Sequence, residues 1–152
     1  MKIILVRHGQ AEDETRPDSA RQLTDFGQQQ AVQTAEYVTT HYSPDCFVVS
    51  PYERAQQTLS AFQLRAPKTP SSIQSNITPS DNARQALIDI ANIDAECLVV
   101  VCHMSIVAYI AGLLTGESPE SFSLAEARVF DMEFVMTGMA TEVDRFVPDQ
   151  PY

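Results

Sequence analysis

The sequence predicts an α/β fold: a three-layer sandwich with a mostly parallel central sheet, helices on both faces and a C-terminal hairpin. Three observations predict it. Short runs at residues 2–6, 46–49 and 97–102 are apolar almost throughout, the pattern of strands buried on both faces. Segments with helical periodicity lie between them, and strand–helix alternation is the signature of a parallel sheet. The length, 152 residues, suits one core. A chain of this size buries about 70% of its unfolded surface and needs no disulfide or structural metal. Residues 1–152 are therefore expected to form a single domain.

The elements follow in order. Residues 2–6 form the first strand, and the polar, acidic residues 9–22 a loop. Thr24 can cap a helix running to about His41, with Ala31, Ala35 and Val38 on one face. Residues 46–49 are the second strand. Ser50-Pro51-Tyr52-Glu53 carries two helix-start signals. Ser50 and Glu53 have capping-box spacing, and Pro51 stands at the first helical position. That helix is expected to reach about Phe62. Residues 66–79 hold three prolines and read as loop, with a short strand near Ile73. Residues 81–92 predict a helix with Ala83, Leu87, Ile90 and Ala91 inward. Residues 97–102 are the clearest strand, followed by an apolar helix over 105–115 that Gly116 ends. Residues 128–135 and 141–147 pair as strands about a turn at Thr137-Gly138. No internal repeat and no dividing linker occurs.

Composition narrows the function. No apolar run approaches the roughly 20 residues that span a bilayer. The stretch 3–6 is too short for a secretory leader and runs into Arg7, so a cytoplasmic location is expected. Ten Lys and Arg against twenty Asp and Glu give a formal charge of −10. Such a surface repels nucleic acid and anionic membranes, which are not expected as partners. It also repels a phosphorylated ligand unless the site is locally basic, so the few arginines are informative. Cys46, Cys97 and Cys102 show no metal-ligand spacing, and Cys97 and Cys102 suit buried thiols. Cys102 adjoins His103, which raises a thiol nucleophile. None of the three has an arginine six residues on, as cysteine phosphatases require: Tyr52, His103 and Ala108 stand there.

The chemistry gathers at strand ends. Arg7-His8-Gly9 lies where the first strand stops, Ser50 ends the second, and His103 ends the strand 97–102. Arg54 falls in the first turn of the helix after Ser50. Ligands of such sheets bind outside the carboxyl ends of the strands, so separate segments can deliver Arg7, His8, Arg54 and His103 to one edge. A neutral imidazole nitrogen can attack phosphorus while an acceptor, expected from the backbone, holds the other nitrogen. Arginine forks bind phosphoryl oxygens in pairs and stay charged. The helix N-terminus near Pro51 adds partial positive charge, and Gly9 leaves room for backbone close to a phosphate. Taken singly, a strand-end histidine is as often structural and a helical arginine is usually solvated; their conjunction points to function. His41 lacks such a setting and reads as solvated or helix-terminal. Met132, Met136 and Met139 read as packing.

The chain resembles the histidine phosphatase superfamily, and within it the SixA-type phosphohistidine phosphatases. The resemblance rests on Val6-Arg7-His8-Gly9 with Ala11, Arg21-Gln22-Leu23-Thr24, Ser50-Pro51-Tyr52-Glu53-Arg54-Ala55-Gln56-Gln57-Thr58, Thr78-Pro79 and Cys102-His103. It spans residues 1 to about 116. It implies His8 as nucleophile, Arg7, Arg54 and His103 as the phosphate pocket, and Arg21 as a further phosphate or substrate contact. Two departures stand out. Many members supply an acidic proton donor after the second helix, yet residues 59–80 contain no Asp or Glu, and Asn76 stands where some relatives have an acid. Met104-Ser105 follows His103, where SixA-like chains tend to have proline at the second position.

The resemblance implies hydrolysis of phosphohistidine on a protein partner, such as a phosphotransfer domain of a signalling relay or a sugar-transport phosphocarrier. The missing acid favours this, since an imidazole departs more readily than an alkoxide, for which acid catalysis supplies about 10²–10⁴-fold. The small chain also leaves little to roof a deep pocket. The alternatives are a phosphatase of small phosphoesters, with Glu12, Asp13, Asp81 or water as acid, and a non-catalytic phosphohistidine-binding module, against which the intact Arg7, His8, Arg54 and His103 set argues. None needs a metal or another cofactor. The acidic loop 12–18 reads as a solubilising segment.

Overall fold

The computed structural model describes residues 1–13 and 16–152. The acidic loop expected over 12–18 therefore lies partly outside the described residues. Strands β1 (Lys2–Arg7), β2 (Cys46–Val49), β3 (Ser71–Ile73), β4 (Cys97–Cys102), β5 (Ala127–Asp131) and β6 (Thr141–Phe146) make one sheet in the order β3-β2-β4-β1-β5-β6. β3, β2, β4 and β1 are parallel; β5 runs antiparallel to β1, and β6 antiparallel to β5. Helices α1 (Asp25–His41) and α2 (Glu53–Arg65) cover one face, α3 (Ala83–Ala91) and α4 (Ile106–Thr115) the other.

The strand sequences explain this layering. Successive side chains point to opposite faces, so a strand covered on both must be apolar at every position. Ile4, Val6, Phe47, Val49, Val99 and Val101 pack under α1 and α2. Ile3, Leu5, Val48, Leu98 and Val100 pack under α3 and α4. Register then sets the site: Arg7 lies opposite Cys102, and Val49 opposite Val101. The three strands end nearly level, so His8, Ser50 and His103 emerge side by side.

Caps fix the helices. Thr24 accepts the Gly27 N–H and starts α1 as expected. Gly116 ends α4 in the left-handed conformation, φ +78°, which glycine adopts without a Cβ clash.

Several expectations change. α2 starts at Glu53 with Tyr52 as its cap and runs to Arg65, so Ser50 does not cap it. The Ser50 hydroxyl instead accepts from Tyr52 N–H in a tight turn. In α3, Ala86 is buried and Ala91 exposed, because the inward stripe runs through 86, 87 and 90. β5 stops at Asp131, where the pairing with β1 ends, rather than at 135. Met132 packs in the core, whereas Met136 and Met139 lie exposed in the long β5–β6 connection. The polar loop after β1 pairs Ala11 with Leu23 and forms a short 3-10 turn at Asp18–Ala20.

Candidate active site

His8 is buried and held at both ring nitrogens. Nδ1 lies 2.6 Å from the Gly9 carbonyl, which accepts its proton. Nε2 is thereby left with its lone pair, toward which Arg54 Nε–H points at 3.3 Å. This is the backbone acceptor that a nucleophilic imidazole requires. Burial first, then the charges of Arg54, Arg7 and Arg21, push the His8 pKa down to about 3, so the ring is neutral across the working range.

Arg54 reaches His8 from the first turn of α2, almost fully buried. Its Nη1 donates to the Asp18 carbonyl at 2.6 Å and its Nη2 to the Asp18 carboxylate at 3.3 Å. The other Asp18 oxygen accepts from Arg21 Nε at 3.1 Å, and Arg21 Nη1 donates to the Glu12 carbonyl. One carboxylate thus ties the two arginines together. Arg7 donates from Nη1 to the Phe122 carbonyl at 2.7 Å, while its Nε is buried without a partner among the described residues.

His103 is fully buried, its ring centroid 5.1 Å from that of His8. Nε2 lies 2.7 Å from Ser50 Oγ, and Nδ1 is buried without a partner among the described residues. Burial, followed by His8 and the three arginines, pushes its pKa down to about 2. Tyr52 stands edge-on to His103 at 5.1 Å and under the Arg54 guanidinium at 5.1 Å. The structure thus brings Arg7, His8, Arg54 and His103 into one basic cluster, with Arg21 joined through Asp18. Among the described residues, Arg7 Nε and His103 Nδ1 are buried polar side-chain atoms without a partner, which an incoming anion can answer.

Gly9 has a different use from the one its sequence position suggested. Its N–H donates to Thr58 Oγ1 and its carbonyl holds His8, so both backbone groups are engaged within the protein. A Cβ there would meet the Gly27 carbonyl oxygen at 2.5 Å, so glycine is required by the approach of α1. Two of the acid candidates are hydrogen-bonded within the protein: Asp81 accepts from Thr78 N–H and hydroxyl, and Glu12 pairs with Arg16 and accepts from Gln22 N–H. Asn76 donates to Asp89. His41 is exposed at the end of α1 and stacks on Tyr37. Burial pushes the Cys102 thiol up to about 12, far from a reactive thiolate. Among the described residues, no group of three His, Cys, Asp or Glu is arranged to hold a metal, and no helix is long and apolar enough to cross a membrane.

Sequence reasoning missed Asp18, Glu126 and Arg128. Glu126 and Arg128 form a buried ion pair. Arg128 binds the carbonyls of Glu120 and Ser121 and lies 3.8 Å from the Phe122 ring centre, while Glu126 accepts from Ser123 N–H. The pair shapes the loop whose Phe122 carbonyl holds Arg7. Its sequence signal is two opposite charges at i, i+2 where the apolar run of β5 begins; for Asp18 it is i, i+3 spacing to Arg21.

The sequence profile of the histidine phosphatase superfamily, branch 1, matches residues 3–76. A phosphohistidine phosphatase SixA homolog of Haemophilus influenzae is 33% identical over 137 residues, covering 80% of this chain and 82% of that protein. Among solved structures, the protein histidine phosphatase SixA complexed with tungstate superposes with a TM-score of 0.85 at 24% identity, covering 97% of each chain. Phosphoserine phosphatase from Entamoeba histolytica, complexed with 3-phosphoglyceric acid, superposes at 0.71 and 16% identity over 99% of this chain and 98% of that one. At these identities the two structures share the fold.

Proposed function

The chain is a phosphatase belonging to the histidine phosphatase superfamily, with SixA-type relatives, and from that premise we propose that it hydrolyses phosphohistidine on a protein partner through a phosphoryl group carried on His8. The observation that carries this reading is the His8 ring itself: neutral, its proton fixed on Nδ1 by Gly9, its Nε2 lone pair turned toward Arg54.

The reaction proceeds in two displacements. The His8 Nε2 lone pair attacks phosphorus, and the bond from phosphorus to the partner's imidazole breaks. The bonding pair goes to that imidazole nitrogen, which takes a proton from solvent during or before departure. Water then attacks the phosphoryl group on His8, releasing inorganic phosphate and restoring the neutral ring. Arg7 and Arg54 hold the phosphoryl oxygens, and His103 supplies a further contact. Arg54 Nε–H, which rests against Nε2 in the free protein, passes to a phosphoryl oxygen once the lone pair is engaged. Arg21 adds charge at the rim.

The substrate class rests on the leaving group. Asp18, the acid that touches the arginines, has both carboxylate oxygens engaged by guanidinium groups. Without a dedicated acid, ester hydrolysis falls steeply as leaving-group pKa rises. Phosphohistidine is then the best substrate, activated aryl phosphates turn over, and alkyl phosphates are nearly inert. Steady-state kcat/KM across such a series is the test. A flat dependence, abolished by Asp18→Asn, Glu12→Gln, Asp13→Asn or Asp81→Asn, would transfer the chain to the small phosphoesters.

A further inference from the structure

We propose that Ser50 is a positioning residue that fixes the tautomer of His103, so that His103 turns an N–H rather than a lone pair toward the transferred phosphoryl group. The proposal rests on the reading that His8 and His103 frame a phosphoryl site.

Ser50 is fully buried, one residue past β2. Its Oγ lies 3.2 Å from Tyr52 N and 2.7 Å from His103 Nε2. A hydroxyl offers one donor and two lone pairs, and a neutral imidazole carries a proton on one nitrogen only. Tyr52 N–H fills one Ser50 lone pair. Two arrangements then exist for the short contact with His103. In the first, Ser50 O–H donates to a bare Nε2 and the imidazole proton sits on Nδ1. In the second, Nε2–H donates to Ser50 and Nδ1 is bare.

The first arrangement leaves a single group unpaired against two in the second. The hydroxyl hydrogen is bonded, the Nε2 lone pair is filled, and Nδ1–H alone has no partner among the described residues. The second leaves the hydroxyl hydrogen without an acceptor among the described residues. It also turns a bare lone pair into a pocket built for anionic oxygens. Buried donors left unpaired are unfavourable, and so is a lone pair facing a phosphoryl oxygen. Ring neutrality, on which the choice depends, follows from burial and the surrounding cations.

The two histidines are thereby set in the same tautomer by different devices and used oppositely. The Gly9 carbonyl holds the His8 proton on Nδ1 and frees Nε2 to attack. Ser50 fills His103 Nε2 and frees Nδ1–H to donate. The tight turn at Pro51 that displaces Ser50 from capping α2 is what releases its hydroxyl for this purpose.

The test is a long-range proton–nitrogen correlation spectrum of substrate-free protein carrying nitrogen-15 histidine, assigned with His8→Ala, His41→Ala and His103→Ala. The wild type is expected to show His103 protonated at Nδ1 and bare at Nε2; a ring protonated at Nε2 overturns the proposal, whether or not any Ser50 variant folds. Ser50→Ala is expected to lose the single tautomer and to lower kcat by about 10²-fold, within the range for losing one preorganised donor. In a His103→Ala background the same change should add less than about twofold, because Ser50 acts through that ring. A full and independent loss in both backgrounds overturns the proposal. The spectrum needs no turnover, so a wild type inert on phosphohistidine refutes the substrate class while the nitrogen shifts still decide the tautomer.

Discussion

The role proposed for His8 asks that its proton be parked on one nitrogen and its charge be forbidden. For His8 the Gly9 carbonyl does the first, and burial among arginines does the second. Quenching turnover with denaturant is expected to trap an acid-labile, base-stable phosphate on the wild type and none on His8→Ala; equal labelling of both would remove His8 from the role. Arg54 is the neighbour least replaceable by another cation. Its fork spans His8 Nε2, the Asp18 carbonyl and the Asp18 carboxylate at once. An ammonium is a point charge and cannot make that span. Arg54→Lys is therefore expected to lower kcat by about 10²–10³-fold. A lysine variant with near-normal kcat would mean that charge alone suffices.

At the scale of elements, the loop entering β5 matters as much as the strand ends. It lies over the carboxyl end of β1, where Glu126 O accepts Arg7 N–H and Ala125 N–H donates to His8 O. Its shape depends on the buried Glu126–Arg128 pair, which supports Phe122 and through it Arg7. Removing one partner of a buried pair strands the other and costs about 3–5 kcal/mol. Glu126→Gln, which keeps the shape and drops the charge, is expected to lose stability near the lower end of that range. It should also raise KM, since Arg7 loses its anchor. Urea denaturation and steady-state kinetics check the two effects separately. Unchanged KM in a destabilised but folded variant would show that the loop holds Arg7 without the pair.

Across the whole molecule, the basic cluster at the sheet edge links stability to pH. Unfolded, His8 and His103 titrate near 6.5; folded, they resist protonation down to about 3 and about 2. Below pH 6.5 the unfolded chain therefore binds protons that the folded chain refuses. Their contribution is fully present above 6.5 and falls as pH drops toward 3, by up to about 1.4 kcal/mol per pH unit for each ring. Unfolding free energy from urea titrations is expected to decrease from pH 7.5 to 5.5, a window above the carboxylate range, and His103→Gln should flatten the slope. A wild type equally stable at both pH values would show that the two rings accept protons while folded. The same cluster sits in a chain of net charge −10, so an anionic ligand is attracted locally by three arginines and opposed by the surface around them.

The sequence by itself determined the layers, the strand order along the chain and the ends at which chemistry collects. Burial on both sheet faces forces uninterrupted apolar runs, and Thr24 and Gly116 mark helix ends through local bonds and local φ alone. Arg7, His8, Arg54 and His103 were legible because each lies at the end of a strand or in the first helical turn after one. What only the tertiary structure decided depends on groups distant in sequence. Ser50 meets His103 across 53 residues, and Arg54 meets Asp18 across 36. The Phe122 carbonyl reaches Arg7 across 115. The capping-box spacing at Ser50 and Glu53 favoured a local bond, but in the fold the hydroxyl is turned to a buried imidazole that no local pattern announces. Gly9 shows the same divide: its place beside His8 was plain, while the reason it must be glycine lies in the backbone of Gly27. Periodicity and caps act over a few residues and can be read along the chain; tautomers, forks and close backbone approaches are set by the partner that packing delivers.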